Sequence, residues 1–159
     1  MKVYFVGKAD KNLKNIIKKS ISISLEVLGQ PDKKLEVCVN FVTPEEMKDL
    51  NNRTRNIDRV TDVLSYPAFS LKVGELLDCD NEEIFYGGVV HLGDMAICLQ
   101  RAEEQAKEYD TTLLHEVSKL AVHSTLHLMG YDHIEDCDYK IMQPMEDKIR
   151  EELIKKKVL

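Results

Sequence analysis

The spacing of apolar residues changes period along this chain, and each change marks an element. Leu13, Ile16, Ile17, Ile21, Ser24, Leu25 and Leu28 recur at three- and four-residue intervals, which predicts an amphipathic helix. Asp10 stands where a helix cap belongs, and Gly29 with Pro31 stops the helix. Leu35, Val37, Val39 and Phe41 alternate with more polar neighbours, the period of a half-buried strand. Thr43-Pro44-Glu45-Glu46 opens a second helix with a capping threonine, a proline in the first turn and a glutamate placed for a capping box. That helix is expected to end near Asn51-Asn52, leaving polar Arg53 to Val60 as a loop.

Residues 2–6 read as a short strand, and so does Thr61 to Tyr66, stopped by Pro67. Residues 68–86 have no clean period and are expected to form an irregular excursion or hairpin. Val89 to Cys98 contains a strand with a bulge or kink at Gly93-Asp94. Leu99 to Glu108 is helical by composition, and Asp110-Thr111-Thr112 opens a helix reaching about Met129. A last helix covers about 136–157 and ends in Lys155 to Lys157, favourably placed for its dipole. Three or four strands with helices before, between and after them predict an α+β fold. No linker or repeat divides the chain, so residues 1–159 are expected to form one domain.

With 43% hydrophobic and 31% charged residues, the composition is that of a soluble globular protein. No apolar run approaches the ~18 residues of a membrane span. The start, Met1-Lys2-Val3-Tyr4-Phe5, lacks a signal-peptide pattern, which makes the cytoplasm the expected location. Cys38, Cys79, Cys98 and Cys137 show no CxxC spacing and are read as reduced thiols. A net charge of −6 does not mark a nucleic-acid binder, yet the charge is uneven. Lys2, Lys8, Lys11, Lys14, Lys18 and Lys19 cluster early; Lys48, Arg53, Arg55 and Arg59 follow; Glu75, Asp78, Asp80, Glu82 and Glu83 are purely acidic. A local basic surface can therefore coexist with an acidic total, although solvated helix faces would give the same pattern.

Three histidines carry the chemistry. His123 and His127 lie four apart and share one helix face, Gly130 suits the left-handed residue that ends a helix, and His133 follows three residues later. The turn can carry His133 back to the other two, giving three imidazoles and an open position, the pattern of a catalytic zinc site. One Zn2+ ion is the expected cofactor; copper and nickel also accept imidazole. His115 is read as structural. Cys137 would close the fourth position with a thiolate, and is not expected there. The spacing matches the metzincin proteases, H-E-x-x-H-x-x-G-x-x-H, except at one place. Ser124 stands where those enzymes carry the glutamate base, and Glu116, two turns away, is too distant to replace it.

His123 to His133 resembles the signature of the YbeY family, H-G-x-L-H-L-x-G-Y-D-H, with Ser124 in place of a glycine. Arg55-Asn56-Ile57-Asp58-Arg59-Val60-Thr61-Asp62-Val63-Leu64-Ser65-Tyr66-Pro67 is similar to that family's R-x-x-D-x-P-T-D-V-L-S-F-P, with Val60 for proline and Tyr66 for phenylalanine. Leu92-Gly93-Asp94-Met95-Ala96-Ile97 is similar to its L-G-D-I stretch. The resemblance implies a small mixed sheet flanked by about five helices, with zinc at the end of a central helix. It implies a zinc-dependent, single-strand-specific endoribonuclease of ribosome biogenesis that matures the 3′ end of 16S rRNA. The implied partners are single-stranded RNA and a ribosomal subunit, with no membrane and no DNA.

On that reading His123, His127 and His133 bind zinc, and Arg55 is catalytic, holding the scissile phosphate with its planar fork. Asp62 to Ser65 line the groove, Asp132 supports a ligand histidine, and the basic positions guide the strand. No residue stands out as a general base. Two other readings compete: a metal-dependent hydrolase of another substrate such as a peptide, and a non-catalytic assembly factor. In the second, Asp136 or Asp138 would close a structural zinc site.

Overall fold

The computed structural model describes residues 1–81, 88–132 and 136–159, the last segment as backbone alone over 136–139. Among the described residues four strands and five helices follow one another as β1 (Lys2–Val6), α1 (Lys11–Leu28), β2 (Leu35–Phe41), α2 (Pro44–Arg55), β3 (Val63–Pro67), β4 (Val90–Ile97), α3 (Leu99–Glu108), α4 (Leu113–Leu128) and α5 (Asp136–Lys155). The strands form one sheet in the order β1-β2-β4-β3. β1 and β4 run parallel to β2, and β3 runs antiparallel to β4. The fold is α+β with a mixed sheet.

Local chemistry sets the element ends. The Asp10 carboxylate accepts a hydrogen bond from the Leu13 amide at 2.9 Å, and Gly29 closes α1 with φ +77°. Thr43 and Glu46 form both halves of a capping box: the Glu46 amide donates to Thr43 Oγ1 at 3.2 Å, and the Thr43 amide donates to Glu46 Oε2 at 2.8 Å.

α2 departs from the sequence expectation. It runs a turn past Asn51-Asn52, so Arg53 and Arg55 are helical rather than part of a loop. Polarity over 52–55 reflects exposed helix positions, not a helix end. The stop is Asn56, left-handed at φ +57°. The Asn51 side chain, 3% exposed, donates to the Arg59 carbonyl at 2.8 Å and folds the following loop back onto the helix.

One face of the sheet packs against α1 and α4. Ile17, Ile21 and Leu25 meet Val37, Val39, Met95, Leu126 and Leu128 in a core of fully buried side chains. Each such side chain contributes roughly 1.5–3 kcal/mol over leaving it in water. Where α1 meets α4, Ser20 and Ser118 share a hydrogen bond at 2.6 Å, satisfying two buried hydroxyls. The intervening strand positions Leu64 and Ala96 point the other way and bury Met47 of α2. At the expected irregularity in β4 the register against β2 jumps from His91 to Gly93. Gly93 has φ +147°, and a Cβ there would lie 2.4 Å from the Tyr66 carbonyl oxygen. This close pairing brings β3, and with it Ser65, beside the C-terminal half of α4.

Candidate active site

α4 begins at Thr112, whose hydroxyl accepts from the His115 amide at 3.1 Å, and its last two turns carry His123 and His127. The two rings are nearly perpendicular, 80° apart with centroids at 4.6 Å, and their Nε2 atoms face each other at 3.1 Å. Each Nδ1 is engaged on the other side. His123 Nδ1 lies 2.7 Å from Glu146 Oε1 of α5, and His127 Nδ1 lies 2.9 Å from the Tyr131 carbonyl oxygen.

The turn after α4 makes the second contact possible. The Gly130 amide donates to the His127 carbonyl at 3.1 Å, and the Tyr131 amide donates to the Leu126 carbonyl at 3.0 Å. Gly130 has φ +83°, and a Cβ on it would lie 2.3 Å from the Leu71 carbonyl oxygen. Glycine thus serves both the reversal and the close passage of the 71 segment. The reversal aims the Tyr131 carbonyl back at His127.

These contacts constrain the protonation of the pair. A carbonyl oxygen and a carboxylate are acceptors, so each Nδ1 carries the hydrogen and donates it. In a neutral imidazole Nε2 then presents a lone pair. Two lone pairs 3.1 Å apart repel unless a cation lies between or beside them. The donor set fits a metal such as zinc: neutral imidazoles converge through Nε2, each held in tautomer and orientation by an oxygen partner. Among the described residues no three His, Cys, Asp or Glu side chains gather as a metal-binding group. The third histidine of the motif, His133, lies outside the described residues, as do the side chains of Asp136, Cys137 and Asp138.

The pair sits at the waist of a groove. On one side a cavity of about 410 Å³ is lined by Arg59, Asp62, Lys119, His123 and Glu146. On the other a cavity of about 520 Å³ is lined by Pro67, Phe69, Leu71, Tyr131 and Asp132. Both share Arg55, Ser65 and His127, so the two open into one another at the imidazole. Arg55, the last residue of α2, therefore stands across the groove from α4, although 68 positions separate it from His123.

A family model described as Endoribonuclease YbeY matches residues 5–154. The chain belongs to the YbeY family. The Endoribonuclease YbeY of Clostridium acetobutylicum is 43% identical over 146 residues, covering 88% of this chain and 87% of that one. The Endoribonuclease YbeY of Caldicellulosiruptor bescii is 36% identical over 154 residues, 94% of this chain and 95% of that one. The solution structure of TM1509 from Thermotoga maritima is similar in fold, with a TM-score of 0.59 and 30% identity over 95% of this chain and 88% of that one. YbeY proteins are thus named for an enzyme activity, hydrolysis within an RNA chain.

Against the YbeY pattern, Ser124 is the departure at the site, and the structure accounts for it. Ser124 is fully buried, and its hydroxyl shares a 2.7 Å hydrogen bond with Ser65 of β3. It points into the seam between helix and sheet and ties the two together. Asp62 shapes the start of β3, because its Oδ1 accepts from the Val63 amide at 2.8 Å and from the Thr61 hydroxyl at 3.1 Å. Asp132 lies on the groove wall beside Gly130. Burial pushes the Tyr131 phenol above its usual range, keeping it neutral. His115 lines neither cavity of the groove; it lies on a smaller cavity with Val122 and Arg150 that adjoins the groove at Lys119 and Glu146. Glu116 is 2% exposed, lies 3.3 Å from Lys119, and does not line the groove cavities.

Sequence reasoning missed Glu146. It sits 23 residues after His123 on a different helix, and no spacing rule connects the two. The expected result of Glu146→Ala is a 10–100-fold weaker affinity for zinc, the usual loss when an oxygen partner of a ligand imidazole is removed. Glu146→Gln keeps an acceptor oxygen and should lose less. Competition against a chromophoric chelator measures both, and equal affinity in all three proteins would show that Glu146 does not support the imidazole.

Proposed function

We propose that this chain is a zinc-dependent endoribonuclease that cuts single-stranded RNA at the groove waist beside His123 and His127. The observation that carries this reading is the facing Nε2 pair, each ring fixed through Nδ1, in a groove lined by Arg55, Arg59 and Lys119. His133, from the same motif, is the third ligand in this proposal. Zinc held there would supply a Lewis acid for a phosphoryl oxygen.

The chain's own residues do the rest. Arg55 faces the waist and neutralises charge on the scissile phosphate as it builds. Arg59 and Lys119 hold the neighbouring backbone. Glu146 and the Tyr131 carbonyl keep both imidazoles in the tautomer that presents the Nε2 lone pair. Peptide hydrolysis is disfavoured because the position that holds the base in metzincins is buried here and occupied by the Ser124–Ser65 hydrogen bond. Ribosomal RNA, with the 3′ end of 16S rRNA as its target, is the proposed substrate, a ribosomal subunit the partner and the cytoplasm the place of action. Among the described residues no helix is long and apolar enough to cross a membrane.

Chelation tests the reading. The protein as purified should hold about one zinc per chain and cleave a 5′-labelled single-stranded RNA. Dialysis against a chelator should abolish cleavage, stoichiometric zinc should restore it, and a duplex of the same sequence should survive. Undiminished cleavage by metal-free protein would overturn the proposal. One bound zinc with no cleavage of any RNA would favour a structural metal.

A further inference from the structure

The two cavities that meet at Arg55, Ser65 and His127 differ in chemistry. The one beyond His123 presents Arg59 and Lys119 together with two carboxylates that are already engaged, Asp62 by the Val63 amide and Thr61 hydroxyl and Glu146 by His123; Lys119 lies 3.3 Å from buried Glu116 and 5.4 Å from the Tyr109 ring. The one beyond Gly130 is walled mainly by Pro67, Phe69, Leu71 and Tyr131, with Ser70 and Asp132 as its further polar residues. Phe69 is only partly buried. It packs against the main core and also lines the cavity, so its place in the wall is firmly backed.

We infer that the apolar cavity is a nucleobase subsite: one base adjoining the cleaved phosphodiester lies against Phe69 and Leu71. This inference deepens the endoribonuclease reading and rests on it. Continuity supports it. A strand whose reacting phosphate lies at the waist must send its next nucleotide on one side among cations and on the other among apolar walls. Phosphates match the first cavity. A base offers an apolar face that every nucleotide shares, so the second cavity gains binding without strict sequence choice. The same cavity supplies selectivity for single strands. A base in a duplex has both faces stacked and its edge paired, and cannot enter without the cost of leaving the helix. Discrimination thus comes from Phe69 and its neighbours, while the imidazole centre is indifferent to pairing.

The test uses the full-length, zinc-loaded protein and a short 5′-labelled RNA with one main cleavage bond. Two companion RNAs carry an abasic nucleotide immediately 5′ or immediately 3′ of that bond. Wild type should cleave one abasic RNA about tenfold more slowly than the intact RNA, the loss expected of one stacking contact, and the other nearly as fast. Phe69→Ala should lose about the same factor on the intact RNA and nothing more on the sensitive abasic RNA, whereas Phe69→Trp should retain activity on both. If Phe69→Ala proves unstable, Phe69→Leu keeps the volume without the aromatic face and should fall between the two. Equal wild-type rates on all three RNAs would overturn the subsite, and so would a Phe69→Ala defect of the same size on all three. No cleavage of any RNA by wild type would overturn the endoribonuclease reading itself, and the subsite with it.

Discussion

His127→Ala is expected to abolish zinc binding and to lower RNA cleavage by about a thousandfold or more. The imidazole lies where the two cavities meet, with Nε2 facing His123 at 3.1 Å and Nδ1 donating to the Tyr131 carbonyl. Removing it takes away one of the three proposed imidazole ligands and leaves His123 and His133, too few to retain the metal. A Lewis acid at a phosphoryl oxygen is worth several kcal/mol, and each ~1.4 kcal/mol is tenfold in rate. The structural cost is small by comparison. One hydrogen bond to a carbonyl is worth about 1 kcal/mol, which in a chain of this size lowers Tm by roughly 2–4 °C. Metal analysis, a melting curve and single-stranded RNA cleavage on the same preparation separate these effects. His115→Ala is the matched control: that histidine lines neither cavity of the groove, and its buried Nδ1 has no partner among the described residues. Its cleavage should stay at the wild-type level. Full cleavage by metal-free His127→Ala protein would refute the role given to the imidazole pair.

What could be read from the sequence follows from how local the signal is. The Asp10 and Thr43-Glu46 caps act over three residues, and the sequence shows them as plainly as the structure does. The same is true of His123 and His127, whose proximity is set by one helical turn. The strand alternation from Leu35 to Phe41 holds because one face is buried and the other is not. The end of α2 was illegible because polar residues say that a helix face is wet, not that the helix has stopped. Only Asn56, a residue tolerant of left-handed φ, marks the stop.

The contacts that hold the site in place are tertiary and have no local signature. Glu146 reaches His123 from α5, Ser65 reaches Ser124 from β3, and the 71 segment passes over Gly130. The second of these also changes the meaning of a sequence departure. A serine in place of glycine beside the first histidine looks like a packing risk. In the fold its hydroxyl finds Ser65, so the substitution satisfies a buried polar group instead of orphaning one.

Arg55→Ala should lower kcat by about a hundred- to a thousandfold while leaving zinc content and Tm unchanged. The side chain is exposed at the last turn of α2, so its removal leaves the core untouched. Its place at the waist, opposite His127 and shared by both cavities, puts it where a phosphodiester must pass whichever way the strand runs. Preorganised donors at a site of developing charge are typically worth that factor. Arg55→Lys keeps the positive charge but loses the two-pronged hydrogen bonding, so it should recover only part of the rate. Arg59 and Lys119 make the useful contrast. Neither lines the waist or the apolar cavity, and alanine there should raise KM and flatten the salt dependence of binding while changing kcat little. The comparison asks whether a cation acts on the transition state or on the bound strand. If Arg55→Ala raised KM alone, as Arg59→Ala is expected to, Arg55 would be one more backbone contact and the charge at the reacting phosphate would have to be met elsewhere.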